Sequence, residues 1–234
     1  MKISRGNKSS NFLSPHRIEA LTDGVFAIVM TLLVLEFSIP IISEASVKTE
    51  LPERLMDLLP SFASHVLSFV VLGMFWFGHH FAFQHIKRTN GTLVGINIIF
   101  LLLVALIPFT TSLVNEYYME QLPAILWGAN AFLIFIMRYI LWAYATGNHR
   151  LVDDDIEPDL VKSDKIQQLL GFVILPIAMC VSFFSVAATY SIYYVLALFF
   201  MVMILGNYGI FRSKSVNKKN KREVEEESNE GEEQ

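Results

Sequence analysis

The sequence predicts an all-α integral membrane protein, a bundle of six transmembrane helices per subunit with the N- and C-termini in the cytoplasm. Of its 234 residues, 53% are hydrophobic and only 17% are charged, whereas soluble domains average about 25% charged residues. Six apolar runs approach the length of about 20 residues that a helix needs to cross a bilayer. Lys and Arg are concentrated in the head, in alternate short connections and in the tail, which is the distribution expected of cytoplasmic segments.

The helices are predicted from these runs and from the residues that flank them. Ser14 and Pro15 are suited to the N-cap and the first position of span 1, and Pro40 should end it. A short helix is expected at 50–58, and Pro108 should kink span 3. Spans 1 to 6 are predicted at residues 15–39, 60–83, 92–114, 122–145, 166–188 and 190–211.

The domain organisation follows from the ends of the chain. We predict a cytoplasmic head at residues 1–14, a transmembrane domain at 15–211, and a disordered charged tail at 212–234, which begins basic and ends acidic. The protein is therefore expected to be a multi-pass protein of the cell membrane, surrounded by lipid. The single cysteine, Cys180, excludes an internal disulfide and an all-cysteine metal site.

Span 1 contains a long uncharged segment. Residues 24–35 carry one polar side chain, Thr31. At about 100° per residue, Ile28, Thr31, Leu32 and Leu35 share one stripe, and Asp23 lies about 140° from Ile28. We interpret the stripe as a pore wall and Asp23 as part of the packing inside one subunit. The alternative is a Thr31 that faces lipid or protein and bonds its own backbone one turn back.

The start of span 1 carries a recognisable motif. Arg17-x-x-x-Leu21-Thr22-Asp23 resembles the Arg-x-x-x-Phe-Ser-Asp signature at the start of the first helix in the transmembrane protein 175 family. Those proteins are potassium-permeable channels. Two signature positions differ conservatively, because Leu21 replaces Phe and Thr22 replaces Ser.

Spans 2 and 3 extend the resemblance. Trp76-Phe77-Gly78-His79 is similar to the Trp-x-x-His of the family, and residues 92–97 and 108–113 are similar to its third helix. The match covers residues 15–114. Spans 4 to 6 agree in number and topology without a motif.

The resemblance implies a potassium-permeable cation channel. Family members are tetramers in which the first helices surround a central pore without a carbonyl filter. Carried over by register, Ile28 and Leu35 form the hydrophobic constriction, Thr31 contributes selectivity, and Leu32 is an additional pore-lining residue. The permeant ion is potassium, with protons as a second permeant ion, and neither a cofactor nor a metal site is implied.

Polar residues within the spans are predicted to form one network that fixes the rotation of span 1, because buried polar partners specify geometry. An alternative is that His79 and His80 face an aqueous crevice. Arg138, in span 4, is expected to extend its guanidinium toward the membrane surface. The network residues are Arg17, Thr22, Asp23, Trp76, His79 and Asn97.

Other functions fit the sequence less well than a channel does. Asp23, His79 and Arg138 could relay protons in a proton-coupled secondary transporter or through a proton leak pathway. However, no paired discontinuous helices in two matching halves are visible, and these are the usual sign of a carrier. No Gly-x-Ser-x-Gly, His-Glu-x-x-His or phosphate-binding loop occurs. We therefore predict no catalytic residues, no enzyme activity and no nucleic-acid partner.

Overall fold

The computed structural model describes residues 14–37, 41–44, 46–153, 158–204 and 206, with the backbone alone for 158–167. Two compact units are distinguished, residues 1–194 and 195–234. Helices α1 to α7 lie in the first unit, and α8 continues into the second. The helices are α1 Pro15–Leu32, α2 Val47–Asp57, α3 Leu59–His85, α4 Gly91–Ala105, α5 Ile107–Glu116, α6 Gln121–Thr146, α7 Pro158–Val181 and α8 Val186–Ile204.

The described part of the chain is helical and apolar, which confirms the predicted all-α membrane class. Five helical segments are long and apolar enough to cross a membrane, and Gln168–Val181 adds a shorter apolar helix. The cytoplasmic position of the termini and the predicted boundaries of the head and tail stay predictions. The five long segments are Pro15–Glu36, Leu59–His85, Gly91–Glu116, Gln121–His149 and Val186–Ile204.

Helix α1 begins as its sequence predicts. Ser14 is extended, with φ −73° and ψ 144°, and Pro15 follows as the first helical residue. The helix ends at Leu32 and tightens into a 3₁₀ turn over Leu33–Glu36. The predicted end of span 1 at residues 39–40 lies outside the described residues.

Proline breaks the third span, as predicted. Helix α4 ends at Ala105 and α5 begins at Ile107, so that Pro108 is the second residue of α5. Proline has no N–H with which to continue the hydrogen-bond ladder, and it is tolerated in the first turn of a new helix. Helix α2 likewise confirms the short helix predicted between spans 1 and 2, although it begins three residues earlier.

The predicted boundary between spans 5 and 6 is wrong. Helix α7 begins at Pro158 and ends at Val181, and α8 begins at Val186. The turn therefore lies at residues 182–185, several positions before the predicted one. Ser185 begins the new helix, because its Oγ accepts a hydrogen bond from the Ala188 N–H at 3.2 Å. Serine is a preferred N-cap residue, and this signal was missed inside an apolar run.

A hydrophobic cluster packs at the N-terminal end of α1. Its buried members come from α1, α3, the α3–α4 turn, α4, α6 and the segment after α6. Backbone bonds from Lys87 N–H and Arg88 N–H to Leu151 O, at 2.8 and 3.2 Å, join the α3–α4 turn to that segment. The start of α1 is thus packed, through Ile18, against the place where the α3–α4 turn meets the segment after α6. The members are Ile18, Phe83, Ile86, Leu93, Leu141, Ala145, Leu151 and Val152.

Candidate pore helix and its polar packing

One face of α1 is buried against the rest of its own chain. The buried side chains recur every three or four residues, which places them on one side of a helix. The opposite side carries Ile28, 61% exposed, and Leu35, 73% exposed, together with exposed Thr31 and Leu32. The centres of the two faces are about 130° apart by helical spacing. The buried face consists of Ile18, Thr22, Phe26, Val29 and Leu33.

Three buried polar side chains connect α1 to α4 and α3. Asn97 Nδ2 donates to Thr22 Oγ1 at 3.2 Å, and Asn97 Oδ1 lies 2.8 Å from His79 Nε2. With the amide in this orientation, His79 Nε2 is the donor. The His79 ring also stacks between Phe83 and Phe100, with centroid distances of 4.3 and 5.3 Å. This arrangement favours the observed rotation of α1, because Asn97 needs the Thr22 hydroxyl as its buried acceptor on that side.

Asp23 and Trp76 form a separate pair. Trp76 Nε1 donates to Asp23 Oδ1 at 2.8 Å, and both residues are exposed in the single chain. The residues predicted to form one network thus occur as two hydrogen-bonded groups, one buried and one exposed. Arg17 is exposed in the first turn of α1, and its membership of the network stays a prediction.

The two adjacent histidines of α3 have different surroundings. His79 is buried, whereas His80 is half-buried with Nδ1 2.9 Å from Glu19 Oε1. Gln84 Nε2 lies 3.0 Å from His80 Nε2, and the Trp76 ring stacks on the His80 ring at 5.5 Å. Glu19 and Gln84 were not singled out from the sequence. Glu19 lies on another helix, and Gln84 lies one turn further along α3. Neither forms a recognised sequence motif with His80.

Arg138 is not placed as the sequence predicts. It is 9% exposed, and its Nη2 donates to Gly78 O at 3.4 Å, inside the bundle. A Cβ on Gly78 would lie 2.5 Å from Arg138 Nε. The glycine of the Trp-Phe-Gly-His sequence therefore leaves the space that the guanidinium occupies, and the expected extension of Arg138 toward the membrane surface is wrong.

A second buried hydrogen-bond chain was missed by the sequence reasoning. Trp127 Nε1 donates to Ser68 Oγ at 3.0 Å, Ser68 Oγ lies 2.7 Å from Thr111 Oγ1, and Thr111 Oγ1 donates to Ile107 O at 2.8 Å. Each group has a partner in an apolar environment, where an unbonded donor is costly. The chain joins α6, α3 and α5.

The C-terminal end of α1 is held by a histidine of α3. His65 Nδ1 donates to Leu33 O at 3.1 Å. The His65 ring also lies 4.8 Å from the Phe37 ring. His65 was not identified from the sequence, because nothing near it in the chain marks a partner 32 residues away.

These features define the class of protein. The described chain is a multi-pass helical membrane protein whose first helix is anchored by polar bonds on one side and uncovered on the other. Among the described residues, no group of three His, Cys, Asp or Glu side chains could hold a metal ion.

Comparison with known proteins identifies the family. The family model described as endosomal/lysosomal potassium channel TMEM175 matches residues 17–108. Potassium channel B446_29190 of Streptomyces collinus is 30% identical over 192 residues, which are 79% of this chain and 90% of that protein. The endosomal/lysosomal proton channel TMEM175 of Bos taurus is 32% identical over 142 residues, 57% of this chain and 30% of that protein.

A solved structure agrees with the family model and with these relatives. The crystal structure of a lysosomal potassium-selective channel TMEM175 homolog from Chamaesiphon minutus has a TM-score of 0.71 at 31% sequence identity, over 81% of this chain and 97% of that one. The chain belongs to the TMEM175 family. The predicted family is therefore confirmed, as are the multi-pass membrane location and the prediction that the protein is an ion channel rather than an enzyme.

Proposed function

We propose that this chain forms a potassium-permeable cation channel, as a homotetramer in which four copies of α1 surround a central pore. Related proteins are named potassium channels, and one solved homologue is called potassium-selective. The family resemblance supplies the tetramer and the role of the first helix. No cofactor is required, because the permeant ion is the only ligand.

The main support for the proposal is the uncovered face of α1. A lining helix must pack one side against its own subunit and leave the other side free for the axis. Thr22 and Leu33 are on the packed side, while Ile28, Thr31 and Leu35 are exposed. The Thr22–Asn97–His79 bonds support this rotation, because turning α1 by half a turn would leave buried polar groups without partners.

We assign the hydrophobic constriction to Ile28 and Leu35, with Leu32 as an additional lining residue. Ile28 and Leu35 are seven residues apart, roughly 10 Å along a helix. Rings of four such side chains would form an apolar throat, and throats of this kind gate by dewetting. A hydrated cation loses water contacts there and gains none from the wall.

We assign the potassium preference to Thr31. Its Oγ1 lies 3.0 Å from Ala27 O and 2.8 Å from Ile28 O, within donating distance of both carbonyls. The hydroxyl proton is therefore directed at the helix backbone, and the oxygen lone pairs point away from it. Such an oxygen can replace part of the hydration shell of a cation. Four hydroxyls favour potassium weakly, since potassium gives up water more readily than sodium.

The first experiment is reconstitution in liposomes with a potassium gradient. The membrane potential should approach the potassium equilibrium value, as it does with a potassium ionophore. Empty liposomes and liposomes with an unrelated helical membrane protein are the controls. A gradient that generates no potential would remove the channel proposal.

The second experiment tests Thr31 with reversal potentials in mixed potassium and sodium. Thr31→Ala should lower the preference for potassium. Thr146→Ala is the matched control, because the Thr146 hydroxyl also donates to a carbonyl one turn back, Trp142 O at 2.8 Å, on another helix. An equal selectivity ratio in the wild type and Thr31→Ala would exclude Thr31 from selection.

The second candidate function is proton conduction or proton-coupled transport. The Bos taurus relative is named a proton channel, and Asp23 is an exposed acid within the first span. A proton gradient imposed across potassium-free liposomes tests whether the protein conducts protons in the absence of potassium. Saturating flux with slow turnover in place of unitary current steps would favour a carrier.

A further inference from the structure

Helix α2 carries an apolar stripe that the described chain does not cover. Every residue of Val47–Asp57 is exposed. At about 100° per residue, Val47, Leu51 and Leu55 fall within an arc of about 80°. Leu51 and Glu53 are about 160° apart, and the other two acids of the helix lie on the Glu53 side. The helix is therefore amphipathic, with its apolar stripe and its acidic side turned away from each other.

The two basic residues of α2 border this stripe. Lys48 lies about 20° beyond Leu55 and Arg54 about 20° beyond Val47, one at each edge. Long basic side chains can lay their methylene stems along an apolar surface and keep the charge at its margin. Arg54 Nη1 is 4.0 Å from Asp57 Oδ2, and both side chains are more than half exposed. Such a surface pair is weak, so the guanidinium can exchange it for another anionic group.

The level of α2 relative to the membrane follows from the neighbouring spans. Residues 24–35 of the first span are uncharged, and Glu36 ends them. The next residue, Phe37, stacks on Phe62 of α3 at 6.3 Å, so the apolar layer ends near the level of Phe62. Leu59 is three residues before Phe62, roughly 4.5 Å further out along the helix. The interfacial layer of a bilayer is about 5–7 Å thick on each side. The junction of α2 and α3 thus lies within it.

No linker separates α2 from α3. Leu58 is the C-cap of α2 and the N-cap of α3. Pro60 follows in the first turn of α3 and has no N–H to donate to the carbonyl of Met56, four residues back. A proline at such a point is a usual cause of a change in helix direction. The break lets α2 turn along the membrane surface rather than extend α3 into water, and the short connection keeps it there.

We propose that α2 is an interfacial helix that binds lipid. It lies along the membrane surface with the stripe of Val47, Leu51 and Leu55 at the boundary between headgroups and acyl chains, and with its acidic side toward water. Phospholipid phosphates are the anionic groups that Lys48 and Arg54 meet at the two edges. With three acids and two bases the helix has no net attraction for anionic lipid, so the apolar burial holds it.

Lipid fits this surface better than a second copy of the chain does. The apolar surface continues from α2 into the membrane span, where Leu59 and Phe62 are each 56% exposed. A lipid layer covers both parts at once, because the stripe ends where the exposed start of the span begins. The basic residues at both edges of the stripe also match a layer of phosphates on either side.

The test places a polarity-sensitive fluorophore on either side of α2. Leu51→Cys and Glu53→Cys are each made in a Cys180→Ser background, since Cys180 is a free, exposed cysteine, and the labelled proteins are reconstituted in phosphatidylcholine vesicles. Phosphatidylcholine brominated in the upper part of its acyl chains should quench the label at position 51 about twofold more than the label at 53, because the apolar side of such a helix is buried about 5–10 Å. Aqueous iodide should show the reverse order.

Two results would overturn the proposal. Equal quenching of both labels by iodide, with little by the brominated lipid, would put the stripe in water. A label on Leu51→Cys that neither iodide nor brominated lipid quenches would mean that protein covers the stripe, and disulfide formation between Leu51→Cys subunits would identify a second copy as the partner.

The design does not depend on one variant or on ion conduction. Leu51 and Glu53 are both exposed, so neither substitution removes a packing contact. Leu55→Cys reports on the same stripe and repeats the test if Leu51→Cys gives no folded protein. No ion flux is measured. Protein that shows the expected quenching but carries no current would therefore refute the channel and leave the role of α2 intact.

Discussion

Replacing Asn97 with leucine should destabilise the protein, because the Asn97 amide serves two buried partners at once. It donates to Thr22 at 3.2 Å and accepts from His79 at 2.8 Å. Leucine has the same number and branching of side-chain heavy atoms as asparagine and is therefore the apolar replacement that disturbs the packing of α4 least. The change therefore removes two hydrogen bonds and little else.

The expected loss in the free energy of unfolding is about 2 kcal/mol. Hydrogen bonds between transmembrane helices average about 0.6 kcal/mol and reach about 1.7 kcal/mol, whereas a buried group left without a partner costs about 1–3 kcal/mol. The Thr22 hydroxyl can turn to a carbonyl one turn back and lose little. The His79 N–H cannot do so, since the ring is stacked between Phe83 and Phe100. Most of the loss should therefore come from His79.

The assay is denaturant titration in mixed micelles, followed by the fluorescence of the three tryptophans. A double-mutant cycle with His79→Phe isolates the cause, because phenylalanine keeps the ring stacking and lacks the donor. In that background Asn97→Leu should cost at most about 0.5 kcal/mol, the average for one transmembrane hydrogen bond, because it also removes an Asn97 Oδ1 that phenylalanine leaves without a donor. Asn130→Leu is the matched control. Its buried amide has no hydrogen-bond partner among the described residues, so the change should be neutral or stabilising.

The reasoning fails if Asn97→Leu unfolds at the wild-type denaturant concentration. It also fails if the cost is the same with and without His79, since the unbonded imidazole would then not be its source.

Two further predictions concern α3 and the constriction. Gly78→Ala should lower the free energy of unfolding by about 1–3 kcal/mol, because its Cβ would lie 2.5 Å from Arg138 Nε, whereas Gly73→Ala in the same helix meets nothing within 4 Å. A micelle titration that shows equal stability for the two alanine variants would contradict the close packing at Gly78. Ile28→Ala should raise single-channel conductance by widening the throat, while Ile98→Ala, which changes an exposed isoleucine of α4, should leave it unchanged. Unaltered current in Ile28→Ala would mean that the narrowest point lies elsewhere.

Local signals predicted most of the helices. Apolar runs near 20 residues locate the spans, and Pro108 marks the break in the third span because proline cannot extend a hydrogen-bond ladder. The boundary after α7 was missed, since an apolar turn capped by one serine differs little from a continuing span. Periodicity also grouped Ile28, Thr31 and Leu35 on one side of α1, where they are exposed in the folded chain.

The partners of polar residues were harder to predict. Sequence motifs pointed to Thr22, Asn97 and His79, but not to the separation of the Asp23–Trp76 pair from them. The partners of Arg138 and His65 lie 60 and 32 residues away in the chain. The neighbouring residues in the sequence do not indicate that either side chain has a partner so far away in the chain.

The amino-acid sequence by itself determined the class of protein, the approximate spans and the side chains that share a face, because these depend on hydropathy and on the fixed period of a helix. The tertiary structure alone decided which face of α1 is covered, where the guanidinium of Arg138 lies and how the end of α1 is held. Each of these depends on a hydrogen-bond partner from another helix, and no local rule specifies that partner.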